Sequence, residues 1–502
     1  MALTINNSNK ITGLASGLET DTIIEGLMKQ YQLKVDKQAQ KTIKLEWTAD
    51  AYREINNLIK NFRSEYLSVL SSNNMMTTSA YSNFTVSMLT TNGAVSVSAS
   101  SSAVAGEYTI QSIDQLATAA AVESREVFVG AKYDSETKLS ELQLENMLQF
   151  EEVENEDGEI EKVLSFSING KTFTFNEDTT IGEMMRKVNS SGAGVTMRFS
   201  SLKKGFSLTT DKTGSDSQIN IVNLKGNAFS TADSAFGIAE GLYTGQDAIC
   251  TIEGMTVTQS TNSFTFDGIT YNLTAESDTP IKFRVDQDYE KTADNIVKFI
   301  DAYNELIDKL QGKLSEKVYR NYAPLTDAQK KEMKEDEIKK WEEYAKSGTL
   351  HNDPYIRTLL TELRSAFLSK PEGVNKSLYD IGISTKSWSE GAKIKVDRDK
   401  LITALKEDPE SVKQLFASTD TEGGPGLMVR VSNSLLNYTK NTTDIALDSL
   451  DDRITKAKEV SKSLTAKMEQ KEKDLWRKYS EMESALARLN GIYGWISTLF
   501  AG

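Results

Sequence analysis

The chain has 502 residues, 38% of them hydrophobic and 26% charged, and a mean hydropathy of −0.42, values that suit several globular domains rather than one core. A formal charge of −14 argues against nucleic acid as a partner, because the phosphates would repel it, and no apolar run is long enough to span a membrane. A single cysteine, Cys250, and a single histidine, His351, exclude a disulfide framework, a zinc cluster and most nucleophile–histidine chemistry.

The amino terminus, Met1 to Ser8, has neither a basic n-region nor an apolar h-region, so no cleavable signal peptide is expected. Thr20-Asp21 is the expected N-cap of a first helix. Apolar residues then recur at Ile24, Leu27, Tyr31, Val35 and Ala39, and again at Leu45, Ala49, Tyr52, Ile55, Ile59, Phe62 and Tyr66. Steps of three and four residues are those of an amphipathic helix.

Residues 81–110 switch to period-two alternation, as in Phe84, Val86, Met88 and in Val95, Val97, Ala99, and read as strands. Residues 131–162 hold eleven acids, from Asp134 to Glu161, against Lys132, Lys138 and Lys162. They lack the ligand spacing and fixed glycine of a calcium loop, so they read as a solvated acidic face. Asn169-Gly170 and Asp267-Gly268 each sit between alternating strands. Both predict type I′ hairpins, whose central residues need positive φ. Ile252 to Val257 resembles Ile168 to Phe173, a hint of repetition. A helix is predicted over Ile181–Asn189. Ser190 to Gly194 then forms a glycine turn that leads into a strand, whereas a phosphate loop would open a helix.

A second helical stripe runs through Ala293, Ile296, Ile300, Tyr303, Ile307, Leu310 and Leu314. Twelve of the seventeen residues 327–343 are Asp, Glu or Lys, which predicts one solvated helix capped by Thr326-Asp327. His351 reads as a turn residue. Gly423 to Gly426 marks a turn before the last arm. In that arm Leu475, Tyr479, Met482, Leu486, Leu489, Tyr493, Ile496 and Phe500 alternate steps of four and three, the spacing of an a/d seam. Leu450, Ile454, Ala457, Ser461, Leu464, Met468 and Lys471 keep that register upstream. Long apolar seams at opposite chain ends must find each other or another subunit.

Ile11-Thr-Gly-Leu-Ala-Ser-Gly-Leu-Glu-Thr-Asp21, with Leu27-Met28 and Glu46 to Ile55, resembles the amino-terminal signature of the FliD, or hook-associated protein 2, family of flagellar filament caps. Val104 to Ile110, Gln115 to Ala117, Gly245-Gln-Asp-Ala248, Val297 to Asp308, Ile381 to Ile383 and Lys393 to Asp397 fit the same family, and residues 165–222 resemble a β-rich repeat of flagellar axial proteins. The end of the chain, Trp495 to Gly502, follows the family only loosely.

The expected fold is α+β and multidomain. Terminal helices would pair in an antiparallel coiled-coil leg (1–45 with 446–502), beside a helical stem domain (46–78 with 286–445). Two inserted β-rich head domains would follow, an inner one (79–124 with 236–285) and an outer one (125–235). The resemblance implies a homo-oligomeric ring, a pentamer, at the distal tip of the extracellular flagellum. It further implies flagellin, the hook–filament junction protein, the flagellar type III export apparatus and an export chaperone as partners, and neither membrane nor nucleic acid. Host mucin or glycans are a possible further ligand. No catalytic, cofactor or metal site is expected. The candidate partner interface is Leu27, Tyr31, Val35, Leu475, Tyr479, Met482, Leu486, Leu489, Tyr493, Ile496 and Phe500. An outward-facing adhesin and another axial protein, such as a junction protein, are the alternatives.

Overall fold

The structure, a computed structural model, describes residues 17–91, 93–129, 133–154, 159–387, 390–419 and 424–500. Residues 11–16 of the opening signature, Lys132 and residues 155–158 of the acidic run, Gly423 and the last two residues lie outside this set. The chain forms two compact units, Met1–Tyr81 with Tyr289–Gly502 and Ser82–Asp288.

Helix α1 (Thr20–Tyr66) is continuous over 47 residues, about 70 Å at 1.5 Å per residue. The two apolar stripes expected there are one helix, with buried Thr42 filling the gap between them. The expected cap is displaced. Thr20 is the first helical residue and is buried, and Glu19 occupies the N-cap, its carboxylate accepting from the Thr22 hydroxyl at 3.3 Å rather than capping a backbone N–H.

The β-rich unit begins with β1 (Phe84–Met88), β2 (Val95–Ala99), β3 (Gly106–Gln115) and β4 (Ala119–Glu123). It continues through β5 (Glu151–Glu154), β6 (Ile160–Ile168), β7 (Lys171–Asn176), α2 (Ile181–Asn189), β8 (Val195–Ser200), β9 (Gly205–Thr213), β10 (Gln218–Lys225) and β11 (Gly241–Thr244). It closes with β12 (Ala248–Ile252), β13 (Met255–Gln259), β14 (Ser263–Phe266), β15 (Ile269–Leu273) and β16 (Ile281–Gln287). Two separate buried clusters divide these elements into lobes. In the inner lobe a five-stranded sheet, β1-β16-β3-β12-β13, and a three-stranded sheet, β14-β15-β2, enclose Ile110, Ile113, Phe264, Tyr271, Ile281 and Phe283. In the outer lobe β11-β10-β6-β5, with β7 on β6, shares a core with β4-β9-β8 and α2. Rings fill that core: Phe166 meets Phe229 edge-on at 4.8 Å, and Phe206 lies 4.7 Å from Phe236. Strands β4 and β11 lie outside residues 125–235, so the outer core draws on chain beyond that range at both ends.

Both expected hairpins form. Asn169 and Gly170 have φ of 50° and 76°, and Asp267 and Gly268 have 48° and 76°. Glu253-Gly254 turns β12 into β13 with the same two signs, so the resemblance between residues 252–257 and 168–173 is a shared hairpin. Thr180 and Glu183 form a reciprocal capping box on α2.

In the helical unit α3 (Tyr289–Ser315) buries its stripe from Ala293 to Leu310. The charged segment is two helices, not one: α4 (Asp327–Glu332) and α5 (Glu335–Lys346), neither with a buried residue. Met333 is extended between them. The carboxylate of Glu337 accepts the Lys334 N–H at 3.1 Å and so starts a new helix. Then follow α6 (Pro354–Leu368), the ribbon of β17 (Ile383–Thr385) and β18 (Ile394–Val396), α7 (Arg398–Glu407), α8 (Pro409–Ala417) and α9 (Leu427–Asn441). A π-helical turn, Thr442–Leu447, joins α9 to α10 (Asp448–Phe500, 53 residues). One core unites α1, α3, α6, α7, α8 and α9 around Ile55, Ile59, Ile296, Phe299, Leu363 and Leu435. Each fully buried side chain of this size contributes about 1.5–3 kcal/mol.

Candidate assembly surface

The leg is built by α1 and α10. Arg53 pairs with Asp451 at 3.1 Å, and Lys458 pairs with Glu46 at 2.8 Å. Seven residues down α1 therefore match seven residues up α10, which fixes an antiparallel register. These ion pairs are exposed and contribute little to stability, about 0–1 kcal/mol each. Leu450, Ile454 and Ala457 are buried. Beyond them Ser461, Leu464, Met468 and Lys471 are only half-buried, and a cleft opens beside Ala39, Thr42, Ser461 and Thr465. Carried on at the same step, the register sets Thr20 near Glu483, and each is 1% exposed. From there to Phe500, α10 has no described residue of α1 opposite it.

The candidate interface residues fall on both sides of that point. Tyr31 and Val35 on α1 and Leu475, Tyr479, Met482 and Leu486 on α10 are half-buried, whereas Leu27 is exposed. Leu489, Tyr493, Ile496 and Phe500 are exposed by 60%, 74%, 40% and 88%. Ile492, Trp495 and Leu499 are exposed beside them, so the end of α10 is apolar around much of its circumference. The heptad count selected one face and missed these three.

At the top of the leg a polar node ties α1 to the helical core. The Tyr52 hydroxyl donates to Asp353 Oδ2, and Asp353 Oδ1 accepts the Ile356 N–H at 3.0 Å as the N-cap of α6. Tyr438 of α9 buries an unpartnered hydroxyl near this pair. Burial, with the Asp353 carboxylate beside them, holds both phenols above their ordinary range. One turn along α1, Asn56 accepts from Thr442 Oγ1 at 2.9 Å and so reaches the π-helical turn. Sequence spacing could not bring Tyr52 and Asp353 together, although Asp353-Pro354 is itself a legible helix start.

Charge is divided unevenly. Residues 82–288 hold 29 acidic and 14 basic side chains, a net −15, which leaves +1 for the remainder of the −14 total. Among the described residues no group of three His, Cys, Asp or Glu is placed to hold a metal ion, and no helix is long and apolar enough to cross a membrane. Burial pushes the Cys250 thiol up to about 11.

Two models of one family match the chain: the flagellar hook-associated protein 2 N-terminus over residues 16–120, and its C-terminus over residues 245–491. The flagellar hook-associated protein 2 of Halalkalibacterium halodurans is 29% identical over 447 residues, 82% of this chain and 79% of that protein. That of Thermotoga maritima is 26% identical over 352 residues, 67% of this chain and 54% of that protein. The crystal structure of the D1-D2-D3 domains of the Escherichia coli flagellar cap protein FliD shares the fold, with a TM-score of 0.53, over 80% of this chain and 99% of that one, at 22% identity. With both terminal models matched in order across the helical leg, the stem and the inner β lobe, the chain belongs to the flagellar hook-associated protein 2 family.

Proposed function

We infer that this chain caps the flagellar filament, as a structural assembly factor at its distal tip rather than as a catalyst. Family membership carries that reading. The observation that supports its mechanism is the apolar end of α10, which runs past the start of α1 and leaves Leu489, Tyr493, Ile496 and Phe500 in solvent. An apolar surface of this kind calls for a protein partner. We assign it to flagellin at the filament end, together with Leu27, Tyr31, Val35, Leu475, Tyr479, Met482 and Leu486 along the leg. Copies of the chain form a ring of five, and their β lobes together make a plate. Flagellin arriving unfolded from the export channel folds beneath that plate and is retained there. The hook–filament junction protein is the first surface the ring meets. Export passes through the flagellar type III apparatus with a chaperone.

Deleting the gene should leave cells with hooks, few filaments, and flagellin in the medium. Normal filaments in the deletion strain would refute the reading.

A further inference from the structure

The two β lobes have separate apolar cores, so something other than shared core must set the angle between them. The chain passes between the lobes twice, at Ala117–Ala119 and at Gly245–Ala248. These passages are bridged, with the Thr118 N–H donating to Gln246 O at 2.9 Å and the Gln246 N–H to Thr118 O at 3.1 Å. A two-strand bridge of this length is a hinge unless it is braced. The brace comes from the β9–β10 turn of the outer lobe. Its Ser215 N–H donates to Asp247 Oδ1 at 2.8 Å, and its Ser215 hydroxyl donates to Asp247 Oδ2 at 2.6 Å. Asp247 is itself anchored to the inner lobe, because its carbonyl accepts Gln115 Nε2 of β3 at 2.7 Å. Next to it Thr213 Oγ1 donates to Ser260 O at 2.6 Å.

Two glycines make the approach close enough. A Cβ on Gly245 would stand 2.4 Å from Thr118 O and 2.5 Å from Gly214 O, and a Cβ on Gly214 would stand 2.6 Å from Ser260 Cβ. Ala248, the last residue of Gly245-Gln-Asp-Ala248, is buried in the inner lobe. Every member of that motif thus has a place at the bridge: close approach, backbone pairing, a carboxylate clasp, and an anchor in the core. We propose that Asp247 is a positioning residue that clasps the Ser215 turn and holds the two β lobes at one angle. Both bonds from Ser215 hold the carboxyl below its usual range, so the clasp stays ionised and acceptor-only at neutral pH. The proposal stands apart from filament capping, since it concerns the geometry of residues 82–288 alone.

The test uses the full chain with spin labels at Leu202→Cys on the outer lobe and Met255→Cys on the inner lobe, both exposed, while Cys250 is buried. Pulsed dipolar spectroscopy reads the distance distribution between the labels. A single narrow peak is expected with Asp247 intact, and Asp247→Ala should lose it while circular dichroism of the unit is unchanged. Asp247→Asn should restore it, because an amide can accept the Ser215 N–H and donate to the Ser215 hydroxyl oxygen. If Asp247→Ala does not fold, Ser215→Ala carries the test and should broaden the same peak. A peak unchanged in whichever of these alanine variants is folded, or a broad distribution in the unmutated clasp, overturns the proposal.

Discussion

Removing the hydroxyl of Tyr52 should destabilise the helical unit by an amount set by the carboxylate it leaves behind. Tyr52 and Asp353 are 6% and 7% exposed, so water cannot replace the lost bond. A hydrogen bond to a charged acceptor contributes about 1.5–3 kcal/mol, and Tyr52→Phe should cost about 2 kcal/mol. Asp353→Ala loses the same bond and the N-cap of α6, about 1 kcal/mol more. It also strands the Tyr52 hydroxyl among apolar neighbours, for a total of roughly 4 kcal/mol. In the double variant the shared bond is counted once and no hydroxyl is left to strand, so the combined loss should fall short of the sum by about 3 kcal/mol. Urea unfolding followed by circular dichroism at the helical band reports on this unit, since α2 is the only α-helix described in the other. Additive losses, with coupling below about 0.5 kcal/mol, would refute the node.

Tyr52, Tyr81, Tyr303 and Tyr438 are held above the ordinary phenol range chiefly by burial, and Tyr271 is pushed up to about 12. Their unfolded forms ionise near pH 10, so the unfolded chain releases protons first. The stability they contribute is whole below about pH 10 and is lost as pH rises beyond it. Thermal melts should hold steady to that point and then fall, and a flat profile through about pH 11 would contradict the burial. Gly268→Ala should cost more than Gly170→Ala in a melt of the β unit. Both have positive φ, but the new Cβ meets Ala103 N at 2.5 Å in the first and nothing within 4 Å in the second; equal losses would refute the clash. Leu489→Asp should leave the thermal stability of the isolated protein unchanged, as Leu489 is 60% exposed, yet abolish filament capping in a complementation swarm assay. Wild-type swarming would remove Leu489 from the docking surface.

Local chemistry carried much of the fold. Positive φ leaves few residue choices, so Asn169-Gly170 and Asp267-Gly268 announced their hairpins, whereas Glu253-Gly254 did not, since Glu rarely enters that region. Helix α2 was legible to the residue because Thr180 and Glu183 bracket its first turn. The break at Met333 was not, because the charge pattern continues through it and only the Lys334–Glu337 bond restarts the helix. The apolar repeat identified the leg, yet it could not show how far α1 accompanies α10, which depends on register rather than composition. The clasp at Asp247 was visible only as a motif. Its partner Ser215 lies 32 residues upstream and has no sequence signature of its own.

The π-helical turn at Thr442–Leu447 bears on how the leg is aimed. Such a turn holds one residue more than an α-helical turn, so α9 runs on into α10 with a phase step between them. Each residue advances an α-helix by about 100°. The azimuth at which the apolar stripe of α10 faces outward is therefore set by a residue count at one point, the same count that turns Leu450, Ile454 and Ala457 into the stem core. Loss of a single residue between 442 and 447 would restore regular winding and rotate the whole distal rod by more than a quarter turn, with no side chain of the stripe altered. A change in chain length there is a change of direction.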